Sequence, residues 1–202
     1  MRIGTKVAIG LAAAAVIALA VTTTGAEEKA TYVGDKKCMK CHSKQVLSWK
    51  KTGLAKAMDS LEPTAEADDK ELFEAKKKSG LDPAKDYTTD ATCPACHTTG
   101  YGQEGGYPEK VTDDNSKLAK AMGAISCEAC HGPGSLYLKY KTDKRKEDKA
   151  ATFTVEELKK YGLVEPTETS CKTCHNEDNP TNALEEFKFE EAKKGVHDHP
   201  TK

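Results

Sequence analysis

The chain has 202 residues, with 31 Lys and Arg against 32 Asp and Glu, and a formal net charge of −1. A balance that close to zero lacks the basic surplus that a nucleic-acid-binding domain carries. Charged residues make up 31% of the chain and apolar ones only 37%, low for a domain that must build its core from side chains alone, and a disordered chain is the plain alternative.

The chain opens as an export signal. Arg2 and Lys6 precede Val7–Val21, an uninterrupted run of 15 apolar residues and Gly. Thr22–Ala26 then supplies small residues, with Thr24 and Ala26 at the −3 and −1 positions of a cleavage site. This is the pattern of a signal peptide spanning residues 1–26, which leaves 27–202 as one domain in the periplasm or cell exterior. The run is shorter than the roughly 20 residues of a membrane-spanning helix, so no stable span is expected after cleavage. No cysteine follows it to carry a lipid anchor. Residues 1–26 hold 17 of the Ala, Val, Ile, Leu and Met residues, so the remainder is poorer still in core-forming side chains. They also remove two bases and no acid, moving the net charge from −1 to −3.

Four Cys-x-x-Cys-His units punctuate the rest. The first is Cys38-Met39-Lys40-Cys41-His42. Behind it Val46, Trp49, Leu54, Ala57 and Leu61 recur at helical spacing, which predicts a helix over Ser43–Ser60 with a kink at Gly53. Thr64–Ser79 reads as a second, charged helix closed by Gly80. The second unit is Cys93-Pro94-Ala95-Cys96-His97, and the glycine-rich loop Thr99–Tyr107 follows it. Asn115–Gly123 predicts a short helix leading into the third unit, Cys127-Glu128-Ala129-Cys130-His131. Ser135–Lys149 reads as a loop, basic over Lys139–Lys149. Thr154-Val155-Glu156-Glu157 is a capping box opening a helix that stops at Gly162. After the fourth unit, Cys171-Lys172-Thr173-Cys174-His175, Phe187 and Phe189 precede a polar helix over Glu190–Lys194. The chain closes on Val196-His197-Asp198-His199-Pro200. The expected class is mainly α with long loops and few or no strands.

All eight cysteines fall in these units. Two cysteines separated by two residues can form thioethers to both vinyl groups of one porphyrin, and the adjoining histidine then meets the iron. A zinc ribbon has no use for a histidine after each pair. A thioredoxin-type motif would occur once, and a disulfide scaffold would not repeat one spacing with a fixed follower. The cofactors are therefore four covalently attached haem c groups, with His42, His97, His131 and His175 as proximal iron ligands. Porphyrins, as large apolar discs, would supply the missing core. The glycines of Thr99–Tyr107 suit a backbone passing tightly over a porphyrin face. First cysteines lie 55, 34 and 44 residues apart, too irregular for a tandem repeat, which favours one domain.

Six histidines limit the iron chemistry. Four are proximal, so only His197 and His199 remain as second axial ligands, and at least two haems lack a second histidine. Met58 is the best-placed sulfur for one of them, set against plain packing on its helix.

Several stretches resemble the tetrahaem cytochrome c-554 family. They are Lys36-Lys37 with the first unit, Ser48-Trp49-Lys50-Lys51-Thr52, Ala55-Lys56-Ala57-Met58, Leu81–Thr88, Gly100–Tyr107, Ser126–Gly134 and His197-Asp198-His199. The resemblance runs over most of Tyr32–His199. It implies that the haem of His131 takes His197 or His199 as its second ligand. It also implies an open iron at His97. The family's distal histidine for the haem of His175 falls at Leu54. That for the haem of His42 falls in Ser135–Lys149, which has no histidine.

The expected function is transfer of electrons between redox partner proteins, and the balance favours a carrier over an enzyme. One alternative is an open-coordination haem that reduces or binds nitric oxide or hydroxylamine. Another is a subunit of an extracellular cytochrome filament. The basic Lys139–Lys149 could dock an acidic partner, but the interspersed Asp143, Glu147 and Asp148 favour a solvated loop.

Overall fold

Short helices joined by long loops carry the chain in the computed structural model, which describes residues 28–177, 179 and 187–199. The signal peptide expected over 1–26 lies outside these residues. No strand occurs among the described residues, as the sequence predicts. The helices are α1 (Asp35–Cys38), α2 (Ser43–Trp49), α3 (Lys70–Lys78), α4 (Pro94–His97) and α5 (Ser116–Met122). They continue with α6 (Cys127–His131), α7 (Ser135–Glu147), α8 (Val155–Lys159), α9 (Glu168–Cys171) and α10 (Phe189–Ala192).

Three expected elements differ. The helix expected over Ser43–Ser60 ends at Trp49, where the Thr52 hydroxyl donates to the Trp49 carbonyl at 2.7 Å. That side-chain bond competes with the helical ladder, and the chain continues only as 3₁₀ turns at Gly53–Lys56 and Asp59–Leu61. The helix expected from Thr64 begins at Lys70, because the Asp69 carboxylate caps it by accepting the Leu72 N–H at 3.0 Å. Gly80 does close it, at φ +74°. The loop expected over Ser135–Lys149 is instead the 13-residue helix α7. Lys–acid pairs three and four residues apart, such as Lys139–Asp143 at 3.3 Å, support it where no apolar stripe does.

Elsewhere the reading holds. Helix α5 falls where expected. The Thr154 hydroxyl caps α8 by accepting the Glu157 N–H at 3.2 Å. The reciprocal half of the capping box is absent, since the Glu157 carboxylate takes the Tyr140 hydroxyl instead.

The packed core is small, as the composition requires. Tyr107, Ala119 and Met122 are buried together, with Tyr32, Met58, Tyr101 and Leu118 packed against them. Around this cluster the loops are stitched by named hydrogen bonds. The Trp49 indole donates to the Ile125 carbonyl at 2.9 Å, and the Ile125 N–H returns to Leu54 at 3.0 Å. Fully buried Thr99 donates its hydroxyl to Ala124 at 2.6 Å and accepts the Ser126 N–H at 2.9 Å. The glycine loop wraps Tyr32: a Cβ on Gly100 would meet that ring at 2.7 Å, so the close approach seen is to Tyr32.

The irregular segment Thr31–Gly34 is tied at every residue. Thr31 N–H donates to Ser135 Oγ at 2.8 Å and Tyr32 N–H to the Glu104 carbonyl at 3.1 Å. Val33 and Gly34 both donate to the carboxylate of Glu128.

Candidate functional site

Each Cys-x-x-Cys-His unit coils into one helical turn, which explains how three side chains can meet one flat group. The two cysteines and the histidine stand at positions i, i+3 and i+4 and so share a face. The histidine N–H closes the turn on the first cysteine's carbonyl: 3.0 Å for His42, 3.2 Å for His97 and 3.0 Å for His175. Before the fourth unit, Thr167 and Ser170 form a reciprocal capping box that starts the turn.

The turns converge although they are distant in sequence. Cys38 of the first unit lies beside Cys127 of the third, and this closeness raises the pKa of Cys38 and lowers that of Cys127. Cys96 of the second unit contacts Cys174 of the fourth; burial first, then that bond, pushes Cys96 up to about 11. Cys130 of the third unit lies near Cys171 and Cys174, and burial pushes it up to about 11. The units are therefore neighbours in the order second, fourth, third and first. None of the eight cysteines is paired in a disulfide, which leaves each available for haem attachment.

The histidines are prepared for iron. His97 Nδ1 lies 2.6 Å from the Ala57 carbonyl and 3.3 Å from Ser60 Oγ, and His131 Nδ1 lies 3.2 Å from the Val164 carbonyl. A carbonyl only accepts, so Nδ1 carries the proton and Nε2 is left bare for a metal. Burial lowers the pKa of His42, His131 and His175, which favours the neutral, ligating form. Among the described residues, no group of three or more His, Cys, Asp or Glu could cage a bare metal ion. One histidine per unit fits an iron whose equatorial positions a porphyrin fills.

The two C-terminal histidines lie side by side, ring centres 4.8 Å apart, but face different groups. His197 and His131 have ring centres 6.5 Å apart at 30°. With metal–nitrogen bonds of about 2 Å, two imidazoles on one iron stand about 6 Å centre to centre, so this pair fits one haem. His197 Nδ1 is held by the Asp198 carbonyl at 2.9 Å, while His199 commits Nε2 to the Lys193 carbonyl at 2.8 Å.

The other residues singled out in the sequence divide. Leu54 lends its carbonyl to Ile125 and offers no ligand. Met58 packs with the Tyr107–Ala119–Met122 cluster, as its packing alternative expects.

Sequence reasoning missed three side chains. Glu128, 1% exposed, accepts backbone N–H bonds from Val33, Gly34 at 2.7 Å and Gly134 at 2.6 Å, pinning the approach to the first unit onto the third. Phe187 stacks on His175 at 4.5 Å, and His175 Nδ1 is buried without a hydrogen-bond partner. Arg145 Nη1 reaches Cys41 Sγ at 3.3 Å. Only the glutamate followed by Gly132-Pro133-Gly134 was visible as a local pattern, and nothing local revealed its long-range role.

Comparison with known proteins agrees with this geometry. Residues 37–132 match the family described as cytochrome c554 and c-prime. Cytochrome c-554 of Nitrosomonas europaea is 40% identical over 174 residues, which cover 84% of this chain and 67% of that protein. The solved reduced state of cytochrome c554 from Nitrosomonas europaea superposes with a TM-score of 0.67 at 35% identity, covering 85% of this chain and 87% of the solved one.

Proposed function

The chain belongs to the cytochrome c554 family, c-type electron carriers with four covalent haems, and from that premise we propose which of its residues do the work. The pairs Cys38/Cys41, Cys93/Cys96, Cys127/Cys130 and Cys171/Cys174 each hold one haem by thioethers, with His42, His97, His131 and His175 as proximal ligands. His197 supplies the second imidazole to the haem of His131. When bound, the haems would supply a one-electron change between ferric and ferrous iron, the chemistry a carrier needs.

The protein's own part is placement. The Ala57 and Val164 carbonyls fix the tautomers and angles of His97 and His131. Glu128 holds the first and third units in register. The observation that carries the reading is the order in which the four units lie beside one another, from the second through the fourth and third to the first. It supports electron flow along one path, with the first and second haems at its ends. The partners are redox proteins of the periplasm or cell exterior, reached after export by the signal peptide. Among the described residues, no helix is long and apolar enough to cross a membrane.

Coulometry of the purified holoprotein tests this, with intact mass after acid–acetone extraction. Four electrons per chain and four retained haem masses are expected. Haem lost to the organic phase would overturn the reading.

One observation favours a second activity. With six histidines, at least two irons lack a second imidazole, and Leu54 cannot replace one. Such an iron would bind a small nitrogen compound such as nitric oxide or hydroxylamine. Carbon monoxide titration of the reduced protein decides it; no reactive haem would remove this reading and leave a carrier alone.

A further inference from the structure

The helical form of α7 sorts its charges. Leu138, Lys141, Thr142 and Arg145 are spaced three, four and seven residues apart and so share one face. All four line one cavity of about 360 Å³. The acids are paired along the helix: Asp143 with Lys139, itself one of the lining cations, at 3.3 Å and with Lys146 at 2.8 Å, and Glu147 with Lys144 at 3.1 Å. From the first haem unit, Lys37, Lys40 and Cys41 complete the same wall. The lining therefore holds Lys37, Lys40, Lys139, Lys141 and Arg145 without a single carboxylate.

Position makes this charge useful. Cys41 alone of the eight cysteines is exposed, so the first unit's second attachment sulfur lies at the surface. Arg145 stands directly against it. Of the five cations, Lys139 is already paired with Asp143. Two propionates of one haem would offset two more, which leaves a positive surplus around an exposed electron port on a chain whose net charge is −1.

We propose that this basic collar is the docking surface for an acidic electron-transfer protein that exchanges electrons with the first haem. The proposal rests on the four-haem reading above. Opposite charge raises the encounter rate and aims the partner at the collar, and salt weakens that attraction as the Debye length falls to about 10 Å at 0.1 M.

Flavodoxin hydroquinone is a suitable acidic probe. One electron leaves the anionic hydroquinone, which becomes the neutral semiquinone, and one ferric haem becomes ferrous. Stopped-flow reduction of the holoprotein is compared with Lys37→Glu/Lys40→Glu and with a control pair on α5, Lys117→Glu/Lys120→Glu, both exposed. Haem content is counted first. The wild-type rate constant should fall about tenfold between low and moderate salt. The collar variant should be slower by about tenfold at low salt and lose most of that salt slope. The control should stay within about twofold of wild type. A collar variant that keeps the wild-type rate and slope overturns the proposal. So does one that shifts a haem potential while keeping the slope, since the lysines would then serve only the haem's propionates. Fewer than four haems in wild type would count against the carrier reading itself, whereas a full count with an unchanged slope counts against the collar alone.

Discussion

His197 faces His131 across 6.5 Å, ring centre to ring centre, while His199, two residues on, turns its Nε2 to the Lys193 carbonyl. The two rings lie side by side, 4.8 Å centre to centre, but the Lys193 carbonyl occupies Nε2 of His199, so one iron engages only His197. His197→Ala should convert one haem from low to high spin in the electron paramagnetic resonance spectrum of the oxidised protein. His199→Ala should leave the spectrum unchanged. A spin change in the His199 variant alone would reverse the assignment.

Glu128 is the most consequential buried polar side chain. Its carboxylate satisfies the N–H groups of Val33, Gly34 and Gly134. Glu128→Ala would strand two buried donors and a half-buried one, at a cost on the order of 3 kcal/mol. Guanidinium unfolding followed by haem absorbance measures the loss. Glu128→Gln, which keeps an acceptor oxygen, should lose less. Equal losses would mean that the side chain acts by volume rather than by accepting hydrogen bonds.

Phe187 shields the ring of His175, whose Nδ1 has no hydrogen-bond partner. An axial imidazole without that bond is a weaker donor to iron than one with it. Phe187→Ala admits water to Nδ1 and should lower the potential of one haem while the other three hold. Spectroelectrochemical titration reads this directly. Four unchanged potentials would reduce Phe187 to packing.

Lys76 is 4% exposed and donates to Thr64 Oγ1 at 3.0 Å and to the Glu62 carbonyl. Burial lowers its pKa from 10.5, against the pull of Asp86 and Glu62. Between that lowered value and 10.5 the unfolded chain holds more protons than the folded one, so this residue makes stability rise with pH across the window. Below the window both states are protonated and the slope vanishes. Lys76→Met should abolish this contribution. Denaturant midpoints of wild type and variant, compared across the alkaline range, should converge or cross as pH rises; a constant difference would show that Lys76 does not titrate in the window.

What could be read in advance was what local sequence decides. The haem turns were legible because Cys, Cys and His at i, i+3 and i+4 leave one geometry. Asn115–Gly123 was legible because its apolar residues repeat at helical spacing. Helix α7 was not, since its support is ion pairing rather than an apolar stripe, and a charged run reads equally as solvent-facing loop. The break after Trp49 turns on one hydroxyl, that of Thr52, which periodicity cannot register. The long-range role of Glu128 was invisible because its partners Val33 and Gly34 lie about 95 residues away in sequence. The choice between His197 and His199 needed ring placement, which two histidines in one short motif do not encode.

The stitched segment Thr31–Gly34 also bears on dynamics. Helix and strand usually mark the amides slowest to exchange with solvent, because a ladder must open to release them. Here four consecutive amides of an irregular segment are held instead by one hydroxyl, one carbonyl and a buried carboxylate, each from a different part of the chain. None can open alone without disturbing the docking of a loop or a haem turn. In deuterium exchange they should persist with the most protected helix of the molecule, and proteases should find no foothold between Thr31 and Gly34. The slow-exchange core of this protein would then include residues that belong to no secondary structure.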